Sequence, residues 1–156
     1  MSITAVIFNA GKEEYAIPVQ YVVSIDKIEK IDPTPHLPVY MRGVVKSRGE
    51  SIPVLDLATI LYESVTPMDM EARLLVIDTE ELSYGLFVHE AKEILEIPSD
   101  TLRQVELVSY QKTKYFSSIA ILQDRLITMI DPVELLHVLD GLKEIKDYMV
   151  ELRQEA

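Results

Sequence analysis

The chain repeats itself, and the repeat restricts what it can fold into more than any other feature. Offset by 69 positions, Val6-Ile7-Phe8 falls on Leu75-Val76-Ile77, Tyr15-Ala16-Ile17 on Tyr84-Gly85-Leu86, Val19 on Val88 and Ile25 on Ile94. Offset by 75, Ile52, Val54, Leu55 and Asp56 fall on Ile127, Met129, Ile130 and Asp131, and Ile60-Leu61 falls on Leu135-Leu136. Apolar matches alone are cheap, because about half of any globular chain is apolar. Tyrosine and aspartate matches in one order are harder to obtain by chance. Each copy holds short runs rich in Val, Ile, Leu and Tyr, such as Thr4 to Phe8, Ser51 to Leu55, Tyr84 to Val88 and Leu126 to Ile130. Polar or glycine-bearing turns separate them, so they read as strands. Turn signals at Asn9-Ala10-Gly11-Lys12 and Thr79-Glu80-Glu81 make the first two runs of each copy a hairpin. Two such strand sets close most simply as two small β-barrels, which also removes exposed sheet edges. The expectation is a mainly β protein with one barrel over residues 3–61 and a second over 74–136.

Asp56 and Asp131 each end a strand and precede a Leu-rich segment. A pair of catalytic carboxylates is one reading; helix N-caps are the better one. In Asp131-Pro132-Val133-Glu134, Pro stands at the first helical position and Glu where it completes a capping box. From Pro132 the period changes: Leu135, Val138, Leu142, Ile145, Met149 and Leu152 form a narrow apolar stripe through charged sequence. This predicts a C-terminal helix over residues 132–153, weakened at Gly141 and docked back onto the barrels.

Composition excludes several functions. With 26 acidic against 15 basic residues the chain of 156 carries a net charge of -11, which repels a nucleic-acid backbone. There is no cysteine, so disulfides, thiolate metal sites and a cysteine nucleophile are excluded together. The N-terminus lacks a basic n-region and a long apolar h-region, and no apolar run is long enough to cross a bilayer, which predicts a cytoplasmic protein without membrane insertion. His36, His89 and His137 are scattered, with no HExxH or metal-ligand spacing. The five glycines are too sparse for GxGxxG or a P-loop, and there is no GxSxG elbow. No cofactor and no catalysis are expected.

One segment carries a family likeness: HLPVYMRGVVKSRGESIPVLDLATIL. It resembles the signature of the CheW family, adaptors of bacterial chemotaxis arrays. A Pro-flanked approach (Pro35, Pro38), Gly43-Val44-Val45, an Arg48-Gly49 turn, the apolar run Ile52-Pro53-Val54-Leu55 and a closing Asp56-Leu57 follow in the family's order. EEYAIPVQYVVSI resembles the family's first hairpin return and AKEILEIPSDTLRQV its counterpart in the second half, so the likeness spans most of residues 3–139.

The resemblance implies a single CheW-like domain of two SH3-like five-stranded barrels related by a pseudo-two-fold. It implies a non-catalytic adaptor that joins the cytoplasmic hairpin tip of transmembrane chemoreceptors to the regulatory domain of a CheA-type histidine kinase, and is recruited to receptor arrays. Residues matching the family's docking region are Arg48 and Gly49, with Val22, Gly43 and Ile52 around them. Arg suits such a role independently, since its fixed fork of donors makes it a frequent interface anchor; bracing of its own turn is the alternative. Lys46-Ser47 stands where members usually carry Asn-Leu, which leaves a divergent CheW-like scaffold of another signalling array as an alternative function. A small-molecule-binding barrel would need an apolar cleft with convergent polar groups, and an enzyme would need strongly shifted titratable groups there.

Overall fold

The structure, a computed structural model, describes residues 1–28, 30–104 and 115–154. Part of the expected second barrel, including Val105 at the end of the second family-like segment, lies outside the described residues. In chain order the elements are β1 (Ser2–Ala10), β2 (Glu13–Pro18), β3 (Val22–Asp26), β4 (Met41–Ser47), β5 (Glu50–Asp56), α1 (Leu57–Tyr62), β6 (Ala72–Ile77), β7 (Tyr84–Pro98), β8 (Leu102–Gln104), β9 (Phe116–Leu122), β10 (Arg125–Ile130), α2 (Pro132–Val138) and α3 (Leu142–Gln154). Two barrels are present, as the repeat requires, but they are not the two halves of the chain.

Barrel I is built from β3, β6, the first half of β7, β5 and β4, paired in that order. Barrel II takes the second half of β7, then β1, β2, β10 and β9, with β8 added beside β9. The first hairpin of each half therefore serves the other half's barrel. This corrects the boundaries 3–61 and 74–136: β1 and β2 pair with β7 and β10, and residues 3–61 do not close on themselves. The long strand β7 makes the exchange possible by running from one barrel into the other. It bends at Glu90, which holds a left-handed φ of 52°.

The repeat is preserved at the level of register. Phe8 faces Tyr15 in the β1–β2 ladder and Ile77 faces Tyr84 in β6–β7. Val54 lies beside Gly85 in the parallel β5–β7 pair and Met129 beside Ala16 in β10–β2. Even the bulges correspond, at Met41 to Gly43 in β4 against β5 and at Phe116 to Ser118 in β9 against β10.

Alternate residues of each hairpin face different cores. Ala5, Ile7 and Ala16 fill barrel II together with Ile97, Ala120, Ile127 and Met129. Leu74, Val76 and Phe87 fill barrel I together with Val45, Ile52 and Val54. Val6, Phe8, Tyr15 and Ile17 meet Leu75, Ile77, Tyr84 and Leu86 in a third core between the barrels. Because these hairpins are buried on both faces, they read in the sequence as continuous apolar runs rather than alternating ones.

Asp56 and Asp131 are the expected N-caps, in matching conformations: φ and ψ are -91° and 111° at one, -89° and 110° at the other. Each accepts from the second and third residue of its helix. The capping box at Glu134 is not completed, because the Asp131 amide donates instead to the Tyr115 carbonyl at 2.7 Å. The Asp56 amide donates in the same way to Tyr40 at 2.8 Å.

The C-terminal helix expected over 132–153 is two helices. Leu139 leaves α2 in extended geometry, and Gly141 turns the chain with a φ of 87°. A side chain at Gly141 would meet Pro38 Cγ at 2.6 Å. After that turn α3 lies against β5 and buries Ile145 and Met149 in the central core.

Candidate docking site

The hairpin of β4 and β5 projects the expected docking turn. Ser47 pairs with Glu50, so Arg48 and Gly49 are the whole loop. Their φ angles are 54° and 81°, the geometry of a type I′ turn, whose twist matches that of the strands it joins. Gly49 suits this conformation; Arg48 adopts it at a cost of roughly 1–2 kcal/mol for a non-glycine residue. Arg48 is exposed and makes no hydrogen bond or ion pair among the described residues. It does not brace its own turn. Bracing comes instead from Arg153 of α3, which pairs with Glu50 at 3.0 Å.

Gly43 and Ile52 are interior and cannot offer side chains to a partner. A Cβ at Gly43, whose φ is 146°, would lie 2.0 Å from the Asp32 carbonyl oxygen. That close approach lets Asp32 and Val44 exchange backbone hydrogen bonds of 3.1 and 2.9 Å, fastening the segment after β3 to β4. Ile52 sits inside barrel I. Val22 is half-buried on β3 beside the central core. The five residues expected to act together thus separate into an exposed turn and the framework that aims it.

A buried polar cluster behind this hairpin was not anticipated. Asp56, fully buried, caps α1 and also accepts from the Thr66 amide at 3.0 Å, the Thr66 hydroxyl at 2.5 Å and Arg42 Nη1 at 2.9 Å. Arg42 in turn donates to the Thr66 carbonyl at 3.2 Å and stacks over Phe87, 5.3 Å from its centroid. The cluster ties the segment after α1 to β4 and β5. Every partner of Asp56 is a structural donor, which leaves it no free lone pair for acid or base chemistry. The sequence carried a cue in Arg42 beside the Gly43 bulge, but nothing marked Thr66.

The chemistry elsewhere is equally structural. Burial pushes Tyr84 upward while its hydroxyl donates to the Pro132 carbonyl at 2.8 Å. Burial also moves Tyr40 and Tyr115 up to about 12, so all three are neutral phenols near neutral pH. Tyr15 moves further in the same direction, through burial and its hydroxyl contact with Tyr62. Among the described residues no group of His, Asp or Glu is disposed to hold a metal, and no helix is long and apolar enough to cross a membrane. A cavity of about 540 Å³ opens beside the β1–β2 turn, but its rim groups do not converge: Lys12 is on the turn, and His89 is already held by Asp69 at 3.0 Å.

The fold is a two-barrel body whose buried polar side chains hold its own framework, with an exposed arginine on a tight turn that has no partner among the described residues. Comparison with known proteins gives the family: the model of the CheW-like domain matches residues 4–140, and the chain belongs to it. It is 24% identical over 131 residues to the chemotaxis protein CheW of Klebsiella aerogenes, covering 83% of this chain and 79% of that one. Against the chemotaxis protein CheW of Bacillus subtilis it is 28% identical over 127 residues, 81% of each. The crystal structure of scaffolding protein TtCheW from Thermoanaerobacter tengcongensis superposes with a TM-score of 0.75, at 23% identity over 85% of this chain and 86% of that one. The SH3-like two-barrel fold is thus the family's fold, and proteins of the CheW family are non-catalytic scaffolds.

Proposed function

We propose that this CheW-like scaffold couples the cytoplasmic hairpin tips of chemoreceptors to the regulatory domain of a CheA-type histidine kinase. It does so as a member of an array recruited to the membrane by the receptors. The observation that carries the reading is Arg48: a guanidinium on a tight two-residue turn, exposed and free of partners among the described residues. The hairpin accounts for the left-handed backbone at this position, but no contact among the described residues accounts for the guanidinium. Family membership over residues 4–140 supplies the class of partner. A coupling protein must engage two partners at once, so the Arg48 turn serves the receptor and a separate surface serves the kinase.

The test is Arg48→Glu, titrated by calorimetry against a receptor hairpin fragment and, separately, against the kinase regulatory domain. Melting temperature stays near native, since an exposed charge contributes little to folding. Receptor affinity falls by about 2 kcal/mol or more, as for an interface anchor, while kinase affinity is better retained. Equal loss to both partners would mean one shared site; loss to neither would remove Arg48 from the interface.

A further inference from the structure

The pseudo-two-fold poses a question about the surface, because α3 covers the outside of barrel I and no helix of the described chain occupies the matching place on barrel II. The helix α3 is held at three points. Ile145 and Met149 are buried beneath it, Lys146 pairs with Glu81 in the β6–β7 loop at 3.6 Å, and Arg153 pairs with Glu50 at the β4–β5 tip at 3.0 Å. The same offsets that relate the strands carry Glu81 to Lys12, Glu50 to Arg125, Lys46 to Ile121 and Ser51 to Leu126.

Three differences separate the two places. Where β4 and β5 carry Lys46 and Ser51 opposite one another, barrel II presents Ile121 and Leu126, likewise opposite one another in the β9–β10 ladder and 49% and 62% exposed. Where Glu81 and His137 close on each other at 3.0 Å, their counterparts Lys12 and Tyr62 border the open 540 Å³ cavity. Where Glu81 attracts Lys146, Lys12 stands with no ion pair among the described residues, reversing the charge. At the hairpin tip Arg125, in the place of Glu50, is held by Glu14 at 2.8 Å and Glu93 at 3.0 Å.

We propose that barrel II docks one amphipathic α-helix of a partner protein, lying along β9 and β10 as α3 lies on barrel I. Its apolar face repeats the pattern of Ile145, Met149 and Leu152. It carries a carboxylate where α3 has Lys146, to meet Lys12. This site is distinct from the Arg48 turn and does not depend on the role proposed for it.

The chain supplies its own probe. A peptide of residues 142–154 carrying Lys146→Glu, with Lys143 and Asp147 joined as a lactam because so short a helix is marginal in water, is titrated into the isotope-labelled full-length protein. Saturable amide shifts are expected at Lys12, Ile121 and Leu126. The double variant Ile121→Lys/Leu126→Ser, which copies the barrel I residues, weakens binding at least tenfold with its melting curve intact. In Lys12→Glu protein the preference inverts, and the peptide that retains Lys146 becomes the tighter ligand; this arm stands even if the double variant fails to fold. Absence of saturable binding, shifts on β4 and β5 that report displacement of α3, or equal affinity for parent and Lys12→Glu protein would each overturn the proposal.

Discussion

Asp56 and Asp131 show how far a residue's duty can depart from that of its repeat partner. Both cap a helix with the same backbone geometry, yet only Asp56 also holds Arg42 and Thr66. At the position matching Arg42 stands Ser117, whose hydroxyl reaches the Met129 carbonyl instead. Asp131→Ala should therefore cost about 1 kcal/mol, the value of a cap. Asp56→Ala also strands a partly buried guanidinium, which raises the expected loss to about 3–5 kcal/mol. Urea denaturation of the two variants checks this, and equal losses would mean that the Arg42 pair contributes nothing. The cap was readable from Asp-Pro-Val-Glu and the strand before it. The Arg42–Thr66 cluster was not, because its members become neighbours only when the segment after α1 folds back.

His137 gives a second residue-level prediction. Glu81 raises its pKa above the ordinary 6.5, with Glu134 adding a smaller pull in the same direction. The Glu81 carboxylate is lowered from its ordinary 4.5, chiefly by His137 and less by Lys146. A raised imidazole contributes stability fully below 6.5 and loses it as pH climbs through the folded value. A lowered carboxylate contributes above 4.5 and loses it as pH falls through its own folded value. The pair is thus at full strength between these limits. Wild type should melt above His137→Gln there, and the gap should close at alkaline pH; a gap that persists would show that His137 acts through packing alone.

At the scale of the element, α3 is both a core component and a strut for the Arg48–Gly49 turn. Truncation after Gly141 uncovers the sites of Ile145 and Met149, each worth roughly 1.5–3 kcal/mol on burial, and removes the Arg153 contact to Glu50. A fall of several kcal/mol in unfolding free energy is expected, and unchanged stability would show that α3 is loosely held. The apolar stripe from Leu135 to Leu152 was legible because spacings of three and four survive a local break in the helix. The break itself was misread: Gly141 looked like a weak helical residue, whereas its left-handed φ and its contact with Pro38 make it a corner. Gly141→Ala should accordingly lower the melting point well beyond the ~1 kcal/mol scale of helix propensity, and in the opposite sense, since alanine would stabilise a continuous helix.

For the whole molecule, the repeat was readable but the exchange of hairpins was not, and the reason is physical. Self-similarity says that β1–β2 and β6–β7 are alike. Either hairpin would satisfy the same backbone ladders in either barrel, so the pattern cannot say which barrel each one joins. What separates the two is volume: Leu74 packs over Gly85 in barrel I, where a Cβ at Gly85 would come within 2.6 Å of it, while the matching positions in barrel II are Ala5 and Ala16. Cutting the exposed loop at Met70 yields fragments 1–70 and 71–156, and the crossed pairing predicts that neither folds alone. Fragment 1–70 would have β5 without its parallel partner β7 and β3 without β6; fragment 71–156 would have β10 without β2 and the end of β7 without β1. Self-association of 1–70 cannot repair this well, since Ala5 and Ala16 in place of Leu74 and Gly85 would leave a cavity costing about 2–5 kcal/mol in each barrel. Mixed at equal concentration, the two should recover native circular dichroism and sediment as one complex of the intact chain's mass. Two fragments that each melt cooperatively on their own, with no gain on mixing, would mean that each half closes its own barrel and that the exchange is wrong.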